Sequence, residues 1–247
     1  MIEFSDEQTA FRSVVRDFAR RELAPHVDRW EAAAELPLEA IAAMAELGLF
    51  GIVFPAQWGG SEGDFTSLCI AIEEIGKVSQ SLGITLSAAV GLGANPIHSF
   101  GNDEQRAEWL PALVAGTALG AFGLTEPDAG SDAGGTRTRA VYDAAADEWV
   151  LNGSKAFITN SGTAITSIVT VTALTGAAAA RPEISSFIVP AGTPGMTIEP
   201  AYRKLGWHAS DTHGITLTDC RVPAANMLGA QGTGLKNFLA ILDDGRI

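Results

Sequence analysis

One change of texture constrains the fold of this 247-residue chain more than any other feature. Up to about Gly116, apolar residues recur at the three- and four-residue spacing of helices buried along one face. Beyond it, short runs rich in β-branched residues alternate with turn pairs. Helices first and strands afterwards, with no internal repeat, predict a helical domain over residues 1–117 and an all-β domain over 118–229. A last helix begins near Gly234, inside a terminal segment 230–247.

Local signals place the helices. Ser5 and Gln8 read as a capping box, with the Ser5 side chain accepting from the Gln8 amide and Gln8 reaching back. Phe11, Val14, Val15 and Phe18 follow at helical spacing, and Pro25 is expected to stop the pattern. The run from Pro37 ends at Gly48, a C-terminal cap. A third helix, "DFTSLCIAIEEIGKVS", is apolar on most sides, which predicts burial and makes Cys69 a core residue. A fourth, from about Ser81 to Phe100, is rich in small residues that let neighbouring backbones approach. A fifth opens at Asn102 or Asp103. In the second half, Asn152-Gly153 lies between two strand-like runs and predicts a hairpin turn. "TSIVTVTAL", "ISSFIVP", "GMTIEP" and "GITLTDCRV" read as further strands, and "TGAAAARPE" as a surface loop. The last helix carries Leu235, Phe238, Leu239, Ile241 and Leu242 on a face that needs a partner, so exposed apolar surface is expected there.

Charge and cysteine usage exclude several classes. The net charge of −13 leaves no broad basic field for a nucleic-acid backbone, although one anionic ligand held by local donors remains compatible. Arg12, Arg16, Arg20 and Arg21 alternate with acidic residues and read as a mixed, solvated helix face. Cys69 and Cys220 are far apart and lack metal-ligand spacing, so no metal is expected and a reducing compartment is. There is no signal-peptide core and no uninterrupted apolar run of about 18 residues. The expected setting is the cytoplasm, without a membrane partner.

Two short stretches carry the candidate chemistry. In "FGLTEPDAGSD" a strand delivers Thr125 beside Phe122 and Leu124, and a turn with Gly130 and Ser131 follows. Glycine permits backbone conformations that aim successive amides at one point, a nest suited to phosphate. An ordinary strand and turn would read the same way. In "KAFITNSG" a second strand ends at Thr159 after Phe157 and Ile158. Two threonine-tipped strand ends flanked by apolar residues could frame a flat heteroaromatic ring with polar edges.

Together with "WVLNGSKAFITN", "KLGWHASDTHGI", "DCRVPAANMLGAQGTGLK" and "LDDGRI", these stretches resemble the acyl-CoA dehydrogenase family in order and spacing over essentially the whole chain. The resemblance implies an N-terminal all-α domain, a β-barrel or sandwich middle domain, and the first helix of a C-terminal helical bundle. It implies FAD as cofactor and the α,β-dehydrogenation of an acyl-CoA thioester to the trans-2-enoyl-CoA. It also implies an electron-transfer flavoprotein as acceptor and a homo-oligomer, dimer or tetramer. Carried over by position, Phe122, Leu124 and Thr125 would line the flavin, with Thr125 on its pyrimidine edge. Gly130 and Ser131 would meet the pyrophosphate, and Ser131 the CoA portion as well. Phe157, where many members have tryptophan, would cover the other side with Ile158 and Thr159. Asp211 and His213, the latter standing where several members have arginine, would face the CoA.

Glu126 receives no role as a base from the resemblance, and His26, His98 and His208 are treated as structural. The family's catalytic glutamate lies in a helical domain beyond "LDDGRI", so no residue here takes its place and the chain alone is expected to turn over poorly. Two other readings remain open. One is a non-catalytic FAD- or acyl-CoA-binding subunit, the other a flavin oxidase or monooxygenase on the same fold.

Overall fold

In the computed structural model, which describes residues 3–176 and 182–244, helices fill the first half of the chain. Helix α1 (Asp6–Phe18) opens in the expected capping box: the Gln8 amide donates to Ser5 Oγ and the Ser5 amide to Gln8 Oε1, both at 3.1 Å. Pro25 does not stop the pattern. The chain runs through a wide turn (Ala19–Leu23) and a tight one (Ala24–His26) into α2 (Val27–Ala33). Proline is tolerated in a first turn, where its missing N–H would have no partner, so here it restarts a helix. Helix α3 (Leu38–Glu46) ends before Gly48, whose φ of +77° is the left-handed cap expected of it.

Helix α4 (Phe65–Gly76) is capped by Asp64. It is followed by a rod made of α5 (Gln80–Ser87), a π-helical segment (Ala88–Ala94) and α6 (Asn95–Phe100). In α7 (Asp103–Val114) a second capping box joins Asn102 and Gln105. Leu23, Ile41, Met44, Phe50, Ile75, Leu82, Leu86 and Leu110 form the buried centre of this layer.

Eight strands follow: β1 (Leu119–Gly123), β2 (Arg139–Asp143), β3 (Glu148–Thr159), β4 (Thr166–Leu174), β5 (Ile184–Pro190), β6 (Met196–Ile198), β7 (Thr212–Pro223) and β8 (Met227–Leu228). They pair in the order β6-β7-β3-β2-β4-β5-β8, with β1 parallel to β4 off that path. Among the described residues no ladder joins β6 to β8. The arrangement is therefore sandwich-like and not a closed barrel, around Leu151, Ile158, Val171, Phe187, Leu217, Cys220 and Val222.

The expected hairpin turn at Asn152-Gly153 is not there. β3 runs straight through both residues, and the turn joining it to β2 lies between Asp143 and Glu148. Gly153 instead marks a register shift against β7, at a spot where a Cβ would lie 2.5 Å from Thr138 Oγ1. Close backbone approach, not a turn, is what asks for the glycine. Residues 177–181 of the expected "TGAAAARPE" loop lie outside the described residues.

The last helix, α8 (Gly234–Asp244), also departs from expectation. Its apolar face is not left open: Phe238 and Ile241 are buried against Phe122 and Leu124, with Leu92, Phe100 and Ala133 alongside. The Phe238 and Phe122 rings stack at 4.0 Å. Only Leu239, of the face named above, is among the exposed large apolar residues.

Several contacts join the layers. Gly93 in the rod meets Gly120 in β1 so closely that a Cβ on Gly93 would lie 2.6 Å from the Gly120 carbonyl oxygen. Gln105 Nε2 donates to the carbonyls of Ala225 (2.8 Å) and Met227 (2.9 Å). Glu31 accepts from the His208 amide at 2.8 Å and from the Ser81 hydroxyl. Among the described residues no helix is long and apolar enough to cross a membrane.

Candidate functional site

The two threonine-tipped strand ends meet. The Ala156 amide donates to the Thr125 carbonyl at 2.9 Å, setting "FGLT" beside "KAFIT". Strand β3 is irregular here: its register against β7 slips between Lys155 and Ile158, and Lys155 and Ala156 are both buried. Such a bulge re-aims the next side chain. Phe157 takes a φ of +60°, a left-handed conformation that is rare for a bulky residue, and stands 65% exposed with its ring 4.9 Å from that of Tyr202. Thr125 and Thr159 are both half-buried.

Beneath the junction lies a buried ion pair. Lys155 Nζ donates to Glu126 Oε1 at 2.8 Å, with the two side chains 0% and 4% exposed. Lys155 Nζ also reaches Thr172 Oγ1 (3.2 Å) and the Leu124 carbonyl (3.4 Å). Glu126 accepts from the Arg137 amide (2.7 Å), the Thr138 amide (3.1 Å) and the Thr136 hydroxyl. One pair thus ties together the end of β1, the turn after it, β3 and β4. Burial pushes the Glu126 carboxyl up, but Lys155 and the threonine donors outweigh it and bring it down to about 2. Burial takes the Lys155 ammonium down to about 8 against the pull of Glu126. The Glu126 carboxylate is ionised and fully engaged, so it is no proton acceptor near neutral pH.

The other residues singled out in the sequence separate into groups. Phe122 and Leu124 are brought to the junction but turn their side chains to α8. Ile158 points into the β core. Gly130 and Ser131 are exposed, and nothing lies within 4 Å of a Cβ placed on Gly130, so a ligand can reach that backbone. Asp211 and His213 lie at the start of β7, beside the junction: His213 pairs with Ile158, and the Asn160 amide donates to the Asp211 carbonyl at 3.2 Å. They bond each other at 2.7 Å, Asp211 accepts from the Gly162 amide at 2.9 Å, and His213 Nδ1 lies 2.6 Å from the Glu199 carbonyl oxygen. Both line a cavity of about 860 Å³ at the seam with Glu31, Glu35 and Leu36, whereas Ser131 lines none of the three main cavities.

A second cavity, of about 620 Å³, opens in the helical layer next to the junction. One wall is a single face of α4: Phe65, Leu68, Cys69 and Ile72. The other is the rod, through Ile84, Val90, Gly91 and Leu92, and Leu242 of α8 closes one side. Leu92 and Leu242 also pack into the cluster that holds Phe122 and Leu124, so this cavity abuts the strand end. Cys69, expected in the core, is a half-buried residue of this wall, its thiol pushed up by burial. Both Cys69 and Cys220 are unpaired.

Sequence comparison agrees with this geometry. The profile for the N-terminal domain of acyl-CoA dehydrogenases matches residues 5–117, and that for the middle domain matches 121–220. The chain belongs to the acyl-CoA dehydrogenase family. A probable acyl-CoA dehydrogenase of Bacillus subtilis (strain 168), YngJ, is 50% identical over 246 residues, 99% of this chain and 64% of that protein. The butyryl-CoA dehydrogenase structure from Megasphaera elsdenii superposes with a TM-score of 0.93 at 40% identity, over 100% of this chain and 64% of that one. A glutaryl-CoA dehydrogenase from Mycobacterium smegmatis, in complex with FADH2, superposes at 0.90 with 35% identity, over 98% and 60%. The chain therefore spans just under two thirds of the length of these acyl-CoA dehydrogenases. Lys155 had no part in the sequence reading, yet a charged residue at a strand position flanked by apolar ones, with Glu126 in the facing motif, was the available signal.

Proposed function

We propose that this chain forms the cofactor- and acyl-binding part of an FAD-dependent acyl-CoA dehydrogenase. The observation that carries the reading is the Ala156–Thr125 hydrogen bond, which sets two motif-bearing strand ends side by side against an apolar cavity. The residues present fit a flavin: an outward aromatic ring at Phe157, flanking hydroxyls at Thr125 and Thr159, and open backbone at Gly130 and Ser131 for the pyrophosphate. Bound FAD would supply the two-electron acceptor for the β-hydrogen.

The chain's own contribution is placement. Thr125 and Thr159 offer hydrogen bonds to the polar edges of the ring, and Phe157 covers one side of it. Phe122, Leu124 and Phe238 form an apolar wall behind Thr125. The apolar cavity takes the acyl chain, and an exposed Ser131 can meet the CoA portion. No residue here is assigned as the base that removes the α-proton, and Glu126 is excluded by its four donors and its ionised state. An electron-transfer flavoprotein as acceptor, and a dimeric or tetrameric assembly, complete the reading. Asp211 and His213 line the cavity at the seam, across the strand pairing from Ile158 and Thr159, where they would face the CoA portion.

The test is to purify the full-length protein and record its visible spectrum before and after an acyl-CoA is added without oxygen. A flavin spectrum that bleaches on addition is the expected result. A protein that takes up no FAD, or a flavin that no acyl-CoA bleaches, would overturn the reading. Rapid peroxide formation in air would replace it with an oxidase.

A further inference from the structure

We propose that Gly91 determines acyl-chain specificity, and that the space it leaves open admits hydrocarbon chains longer than the short-chain class. The inference rests on the function argued above, and deepens it.

The rod from Gln80 to Phe100 contains three glycines, and two are explained by packing. A Cβ on Gly83 would lie 3.0 Å from Gly76 Cα, and one on Gly93 would lie 2.6 Å from the Gly120 oxygen. Gly91 has no such neighbour. Nothing lies within 4 Å of an added Cβ, and its φ is not left-handed. Glycine weakens a helix relative to alanine, and neither close approach nor backbone conformation asks for it here. What Gly91 borders is the 620 Å³ cavity. It sits in the π-helical segment Ala88–Ala94, the kind of irregularity that recurs at functional sites.

The length and chemistry of the cavity narrow the ligand. Its lining on the rod runs from Ile84 to His98, roughly 20 Å of helix at about 1.5 Å per residue. A four-carbon acyl chain covers a small part of that. The lining contains no lysine or arginine, and its one acid, Glu73, is engaged by Arg12 and Lys77. Burial, and then Arg106, hold the His98 imidazole below its usual range, so it brings no cation. A chain ending in a carboxylate would be buried there with no cation, its polar neighbours besides Glu73 being the neutral Ser87, Asn95 and His98. The cavity therefore suits plain hydrocarbon.

The experiment compares full-length, flavin-loaded wild type with Gly91→Ala and Gly91→Leu. Dissociation constants for butyryl-, octanoyl- and dodecanoyl-CoA thioether analogues, which bind without being oxidised, are measured by calorimetry. The ratio of kcat/KM for octanoyl- to butyryl-CoA is measured beside them. Wild type is expected to bind the longer analogues more tightly. Gly91→Leu is expected to lower the octanoyl-to-butyryl ratio at least tenfold in both measurements, and Gly91→Ala to lower it about twofold or more. Gly91→Ala adds a single methyl at a helical position, so it decides the matter if the leucine variant does not fold. Tightest binding of the butyryl analogue by wild type, or unchanged ratios in the folded variants, would overturn the proposal. Failure of the underlying function looks different: no analogue of any length would bind.

Discussion

At the scale of single residues, Lys155 and Glu126 do more for the site than any residue named from the motifs alone. Four backbone segments converge on their side chains, so the position of Thr125 depends on two buried charges. Removing one partner leaves the other charged and buried. Lys155→Met is expected to cost about 3–5 kcal/mol, read from the urea midpoint, and a cost under 1 kcal/mol would mean the pair is solvated in solution. The pair also predicts acid sensitivity. Glu126 has a folded value of about 2, below its ordinary 4.5, so it adds stability that is complete above 4.5 and lost as pH falls from 4.5 towards 2. Unfolding midpoints should therefore fall more steeply with acidification in wild type than in Glu126→Gln. Equal slopes would contradict the assignment.

At the scale of elements, turns and irregularities separate what the sequence disclosed from what it hid. The capping boxes at Ser5 and Asn102 and the left-handed Gly48 are local signals, complete within four residues, and they were legible. Asn152-Gly153 carried a local turn signal too, but strand pairing on both sides overrode it, because β3 is hydrogen-bonded to β2 and to β7 across that point. Gly153→Val should therefore destabilise by about 1–3 kcal/mol through overpacking against Thr138. Gly130→Ala, with open space around it, should leave the melting temperature within a degree or two while weakening FAD binding. The reverse ranking of melting temperatures would restore the turn reading. The bulge that turns Phe157 outward was invisible in the sequence, since it depends on the register of β7 about 55 residues further on. The docking of α8 was hidden for the same reason: its partners lie on β1 and the rod. Phe238→Ala should remove about 3–5 kcal/mol from that contact. Amide exchange in residues 234–244 should quicken while that in β4 stays slow, and uniform protection would show that the stack contributes nothing.

At the scale of the molecule, the order of helices before strands was readable because burial period is a property of each segment. The way the two layers meet was not, because it is fixed by a few long-range contacts. Gln105 is the clearest case. Its side-chain oxygen completes a helix cap while its nitrogen holds two carbonyls of the β layer, more than one hundred residues away. Gln105→Glu keeps the capping oxygen and sets a carboxylate against both carbonyls. It should destabilise at least as much as Gln105→Ala, by about 1–3 kcal/mol, measured by denaturant titration. A variant as stable as wild type would show that the layers are held by apolar packing alone.

The near-zero clearance between Gly93 and Gly120 has a mechanical consequence. Two main chains already in van der Waals contact cannot be pressed closer, and the pleat of one against the turns of the other resists sliding. Together with the Gln105 and Glu31 contacts, this approach holds the rod fixed against the β layer. Any widening of the acyl cavity must come from the α4 wall on its far side, which is where a tight and a roomy version of this protein would be expected to diverge.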